Sequence, residues 1–234
     1  MKKLFSVLIL VFVGIGCSKK EGALMNVSGN VAGLKKGTLY LQHLNDSTLA
    51  TIDSLEIKGN GNFSFQYEIK SPELFYLYLK KDDNNTINDR ITFFGEQGDI
   101  TINTSWNNFD TKAEIAGSES HKKFQEFQEV LSKFNTKELT LMQLSTTEEI
   151  RSRSEAMDSI NNLADKNALR RVLYVLNFAL SNTDSPVSPY VALTEASNTN
   201  SKYLDSIHNS LSDEVSNSKY GLALAAYLDE VKSN

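Results

Sequence analysis

Phe63-Ser64-Phe65-Gln66-Tyr67-Glu68-Ile69 sets four large apolar side chains two residues apart, with Ser64, Gln66 and Glu68 between them. Successive side chains of a strand point to opposite faces, so this stretch reads as a strand with one buried and one wet face. Just before it, Lys58-Gly59-Asn60-Gly61-Asn62 has the residues that a tight hairpin requires, and Gln97-Gly98-Asp99 supplies another turn. The alternation returns in Leu39 and Leu41 among Thr38, Tyr40 and Gln42, and in Ile100 and Ile102 among Asp99, Thr101 and Asn103. Leu74-Phe75-Tyr76-Leu77-Tyr78-Leu79 is apolar on both parities, as expected of a strand covered on both faces where a sheet meets helices. Asp53-Ser54 interrupts the alternation between Thr51 and Leu55 and reads as a bulge. About eight short strands at this spacing predict an antiparallel β-sandwich or open barrel over residues 27–117.

Glycine marks where this pattern stops. Nine glycines punctuate the chain from Gly22 to Gly117, and only Gly221 follows. Beyond Gly117, Phe124, Phe127, Leu131 and Phe134 recur three and four apart, the period of a helix, with Ser118 or Ser120 as its N-cap. Thr146-Thr147-Glu148-Glu149 resembles a capping box for a second helix with Ile150, Met157, Ile160 and Leu163 on one side. Leu169 to Leu180 is apolar nearly all round, which predicts a helix central in its bundle. Pro186 and Pro189 end that pattern; Tyr203, Ile207 and Leu211, then Leu222, Leu224 and Leu228, predict two more short helices. The fold class is therefore α+β: a sandwich followed by a helical region over 118–234.

The chain opens with Lys2 and Lys3, a short apolar run from Leu4 to Ile15, and Gly14-Ile15-Gly16-Cys17. That run is too short to span a bilayer, which takes about 20 apolar residues. A charged start, an apolar core and small residues before the single cysteine read as a secretory signal over residues 1–16, cut so that Cys17 becomes a lipidated N-terminus. Residues 17–26 would be the lipidated cysteine and a polar tether. Lys19-Lys20 favours a location in the cell envelope facing the periplasm. Loss of Lys2 and Lys3 with the signal would take the formal charge from −5 to −7, an acidic balance without the clustered Lys and Arg that nucleic acid calls for.

No pattern in the chain points to catalysis, a cofactor or a metal. Thiol-disulfide exchange needs two thiols within reach, and Cys17 is the only one. His43, His121 and His208 lack a partner at ligand spacing; His43 is expected to end a strand, and the other two to sit on polar helix faces. No serine stands in Gly-x-Ser-x-Gly or Ser-x-x-Lys. Asp82-Asp83-Asn84-Asn85 lacks the glycine and distant glutamate of a calcium loop. The aromatic side chains Trp106, Tyr76 and Tyr78 are the candidate ligand contacts, because such rings can stack on sugar faces; Trp106 and Phe109 are equally suited to capping the core.

Gly37-Thr38-Leu39-Tyr40-Leu41, Ile52-Asp53-Ser54, Gly61-Asn62-Phe63-Ser64-Phe65, Gly98-Asp99-Ile100-Thr101-Ile102 and Ala116-Gly117-Ser118 occur here in a familiar order. Together they resemble the N-terminal domain of unknown function found in many Bacteroidota lipoproteins, where it usually precedes a TlpA/ResA-like thioredoxin domain. Asp184-Ser185-Pro186-Val187-Ser188 and Ser218-Lys219-Tyr220-Gly221 extend the likeness, which covers most of residues 27–231. The chain reaches Asn234 near where the thioredoxin-like domain would begin, so no active-site cysteine can be carried over. The expectation is a non-catalytic, lipid-anchored accessory or binding module, attached to the membrane through Cys17 and able to hold an envelope partner. Alternatives are a docking partner or truncated form of an extracytoplasmic thiol-disulfide oxidoreductase, and a glycan-binding or glycan-hydrolysing sandwich, the latter needing two carboxyls about 5–10 Å apart.

Overall fold

A computed structural model describes residues 23–45, 48–81 and 89–233. The predicted signal, Cys17 and Asp82-Asp83-Asn84-Asn85 lie outside the described residues. The first half holds β1 (Ala23–Ala32), β2 (Lys36–Asn45), β3 (Thr48–Lys58), β4 (Asn62–Ile69), β5 (Glu73–Lys81), β6 (Asp89–Gly95), β7 (Gly98–Ser105) and β8 (Glu114–Ala116). They form two four-stranded sheets, in the orders β4-β1-β7-β8 and β3-β2-β5-β6. Every pairing is antiparallel except β1 with β7, which run parallel. The sheets face each other and do not close into a barrel. Between them lies a core that includes Leu39, Leu41, Phe63, Phe65, Leu77 and Ile100.

Phe63, Phe65 and Ile69 point into this core and Tyr67 is half-buried, while Ser64, Gln66 and Glu68 are exposed, as the period of two requires. Strand β1 begins at Ala23, inside the span 17–26 expected to be a tether. Ala23 already pairs with Ile69, and Met25 is fully buried, because β1 needs those residues to fill the core. Gly59-Asn60-Gly61 does not make a hairpin: β3 and β4 belong to different sheets, and the turn carries the chain across the sandwich. Gly61 sits at φ 70°, its carbonyl accepts from Val31 N, and a Cβ there would lie 2.1 Å from Val31 O. The bulge falls at Ile52, the residue skipped between the Leu41–Asp53 and Gln42–Thr51 pairs and the neighbour of Asp53.

Strands give way to helices at Gly117-Ser118. Gly117 has φ 91°, and a Cβ would lie 2.0 Å from Asp99 O, so only glycine lets the chain turn there. The helical region holds α1 (Glu119–Ser145), α2 (Glu148–Arg151), α3 (Ser154–Ser181), α4 (Val187–Glu195), α5 (Ser201–Ser210), α6 (Asp213–Ser216) and α7 (Lys219–Ser233). Ser118 is the N-cap of α1, its oxygen accepting from His121 N. The expected capping box does not form: the Thr147 hydroxyl donates to Leu144 O instead of accepting from its own helix, and that helix, α2, is a single turn. Nor is α3 enclosed. Val175, Leu176 and Ala179 are buried, but Leu169, Leu173 and Leu180 are 60%, 49% and 43% exposed along another stripe of the same helix.

The two regions share side chains. Leu74 and Phe94, neighbours across β5 and β6, leave the sandwich and enter the helical core with Phe124, Phe127, Val191 and Leu224. Phe94 is fully buried against the rings of Phe124, Tyr190 and Tyr220. In β5 only Leu74 is covered by helices as predicted. Tyr76 and Tyr78, on the same face, stay half-buried.

Candidate functional site

Toward one end of the sandwich the apolar inward rows of three strands are interrupted by polar groups. Phe75, Leu77 and Leu79 are succeeded toward the start of β5 by Glu73, Leu39 and Leu41 toward the end of β2 by His43, and Phe63 and Phe65 in β4 by Tyr67. These three polar groups meet at one open end of the sandwich. A carboxylate that is only 8% exposed must have partners, since an isolated buried charge is costly. Glu73 has two: Lys219 of α7 donates to its Oε2, and His43 Nδ1 lies 3.5 Å from Oε1. Lys219 Nζ also donates to Leu44 O at 2.7 Å, and its backbone N donates to Ser71 Oγ at 3.1 Å.

His43 is held by packing. Its ring stacks on Phe75 at 10° and meets Tyr67 edge-on at 5.6 Å, and its Nδ1 is buried without a hydrogen bond. Burial, and then the charge of Glu73, push the Tyr67 phenol above its ordinary range. Nearby, Leu74 N donates to Tyr220 OH at 3.1 Å, so a side chain of α7 meets the β5 amide next to the last pair with β2, His43–Phe75. Burial raises the Tyr220 phenol strongly and pushes Tyr190 up to about 12, so both are neutral donors and acceptors around neutral pH. The mouth opens into a pocket of about 560 Å³ whose further lining includes Asn45, Lys70, Ser71 and Asn217. The hollow over Lys36, Lys58 and Lys80 holds no buried charged group among the described residues.

Chemically, the mouth offers two ammonium groups, an imidazole, the hydroxyls of Ser71 and Tyr67 and amides around a carboxylate that is already neutralised. That suits binding of a polar group. The Ser71 hydroxyl accepts from Lys219 N and has no base beside it among the described residues.

The aromatic residues singled out from the sequence lie elsewhere. Tyr76 and Tyr78 share the outer face of β5, where the Arg90 guanidinium stands 5.5 and 5.7 Å from their rings and Tyr40 stacks on Tyr78. Trp106, 44% exposed, follows β7 in the other sheet, packed over Gly33 with Lys81 Nζ 5.8 Å from its ring. No ring contact joins Trp106 to the two tyrosines among the described residues. Phe109 is fully buried and belongs to the core. His121 is not on a polar face: it is 8% exposed under the β6 edge, its Nδ1 accepting from Phe94 N, and burial pushes its imidazole below the usual histidine range.

Sequence reading passed over Glu73 and Lys219. The signal for Glu73 was its parity: it shares the inward side with Phe75, Leu77 and Leu79, where a charge demands a partner. Nothing local to Lys219, 146 residues away, marked it as that partner.

Residues 25–124 match a family model described as Domain of unknown function (DUF4369). The match takes in nearly all of the sandwich and the first turns of α1, and so includes His43, Tyr67 and Glu73 but not Lys219. No curated protein matches the chain. Among the described residues no group of His, Cys, Asp and Glu could hold a metal ion, and no helix is long and apolar enough to cross a membrane.

Proposed function

We propose that this chain is a lipid-anchored, non-catalytic binding module of the cell envelope, attached through Cys17, facing the periplasm and using the mouth of its sandwich as the binding pocket. One observation carries the binding part: polar groups from β2, β4, β5 and α7 converge on a pocket around a buried, ion-paired carboxylate. Such convergence of a few fixed polar groups over an apolar interior is the usual form of a ligand site. The anchoring part rests on Lys2-Lys3, the apolar run and Cys17. Its test is mass spectrometry of the N-terminal peptide from the membrane fraction, together with Cys17→Ser. Diacylation of Cys17 and release of the variant into the soluble fraction are expected; an unmodified Cys17 would end the anchoring claim.

A second reading has an observation of its own. The exposed leucine stripe of α3 favours a protein partner, and a separately encoded thioredoxin-like protein is the candidate that the likeness in sequence suggests. Binding of such a protein should weaken on Leu173→Asp with thermal stability unchanged. Equal binding by both forms would remove this reading.

A further inference from the structure

Counting hydrogen-bond capacity at the mouth separates groups that are satisfied from groups that are not. An ammonium has three donors. Lys219 uses one on Glu73 and one on Leu44 O, and its side chain is 36% exposed toward the pocket, which leaves a third donor facing solvent. Ser71 Oγ accepts from Lys219 N, so its own hydrogen is free to donate, and it has no acceptor among the described residues. Lys70, beside it in the turn between β4 and β5, lines the same pocket and makes no ion pair among the described residues. A neighbouring hollow on the far side of that turn holds Asp184 and Glu214, which face Lys70 from there. Among the described residues that line the mouth the only carboxylate is Glu73, and Lys219 neutralises it. Among the described residues, unspent donors and one net positive charge therefore converge on one side of the pocket, in a chain whose formal charge is −5.

We infer that the mouth takes a small oxyanion, a phosphate or carboxylate group, held by Lys70, Lys219 and the Ser71 hydroxyl. The inference rests on the mouth being a binding pocket and names what it binds. Glu73 and Leu44 O fix the Lys219 ammonium before any ligand arrives, so little side-chain freedom is lost on binding. His43, packed flat on Phe75, closes the floor.

The test titrates the full chain with inorganic phosphate, with acetate and with phosphatidylglycerol vesicles, at constant ionic strength against chloride and phosphatidylcholine controls. Calorimetry and thermal unfolding are the readouts. Lys70→Gln and Ser71→Ala, both at the pocket rim, are run beside the natural chain. Saturable binding in at least one arm, weakened about tenfold by either substitution as the loss of one charge-assisted hydrogen bond implies, is the expected result. The arm that responds tells a free phosphate or carboxylate from a lipid headgroup. Absence of binding in all three arms, or binding that both variants retain in full, overturns the oxyanion. If an uncharged compound from a broad panel still stabilises the chain, the oxyanion fails while the binding pocket stands. If nothing in the panel does, both fail.

Discussion

Lys219 has two jobs, since the ammonium that neutralises Glu73 also donates to Leu44 O, and the backbone N–H of the same residue ties the start of α7 to Ser71. Lys219→Met should therefore leave a buried carboxylate with only the His43 imidazole beside it and cost about 2–3 kcal/mol by urea unfolding, below the usual loss for a buried pair because the lysine is partly exposed and His43 stays. Adding Glu73→Gln should recover most of that loss. A double variant no more stable than Lys219→Met would show that packing of the lysine stem, not charge, matters here. His121 makes a second prediction at this scale. Its imidazole stays neutral in the fold because burial lowers its proton affinity, whereas the unfolded chain takes up a proton near the ordinary histidine value of about 6.5. The unfolded state then binds more protons as pH falls through that value, so stability falls too. The urea midpoint should drop as pH falls through about 6.5, and His121→Gln, which keeps an acceptor for Phe94 N, should flatten the drop. An equal drop in the variant would assign it to other groups.

Between elements, the connection of sheet to helices is made at the end of β6. Phe94 fills the helical core with its side chain, while its N–H donates to His121 and its C=O accepts from Ser118. Two residues on, Glu96 places its carboxylate over the start of α1, accepting from Glu119 N at 2.6 Å and Ser120 N at 3.3 Å. A carboxylate in that place satisfies otherwise unpaired amides and favours the positive end of the helix dipole. Phe94→Ala should cost about 3–5 kcal/mol, since a fully buried ring bridging three others would leave a cavity. Glu96→Ala should cost about 1 kcal/mol. Both are read from chemical denaturation, and their order is the test: a larger effect at Glu96 would mean that the helix cap, rather than the ring, joins the two halves. The cap at Ser118 was legible because serine before a helical period is a local signal. The cap by Glu96 was not, since it comes from another strand's end.

At the scale of the molecule, shared packing implies one cooperative unit. Trp106, the single tryptophan, reports on the sandwich, and far-UV circular dichroism reports on the helices. Their denaturation curves should coincide; separated transitions would show that the junction at Phe94 and Lys219 is weak. Alternation along 63–69, the helical spacing of 124–134 and the glycine boundary at 117 are properties of consecutive residues, so the sequence alone determined two textures, eight strands and the order of sheet before helices. Local pattern has no access to which strand lies beside which. Gly59-Asn60-Gly61 looked like a hairpin because a turn between paired strands and a turn between sheets use the same residues. Leu169 to Leu180 looked enclosed because a helix cannot show, by its own composition, how many neighbours it meets. The mouth was decided only by tertiary structure: His43, Tyr67, Glu73 and Lys219 acquire meaning from the strand ends and helix start that bring them together, and the energy that joins a buried carboxylate to its ammonium acts through space.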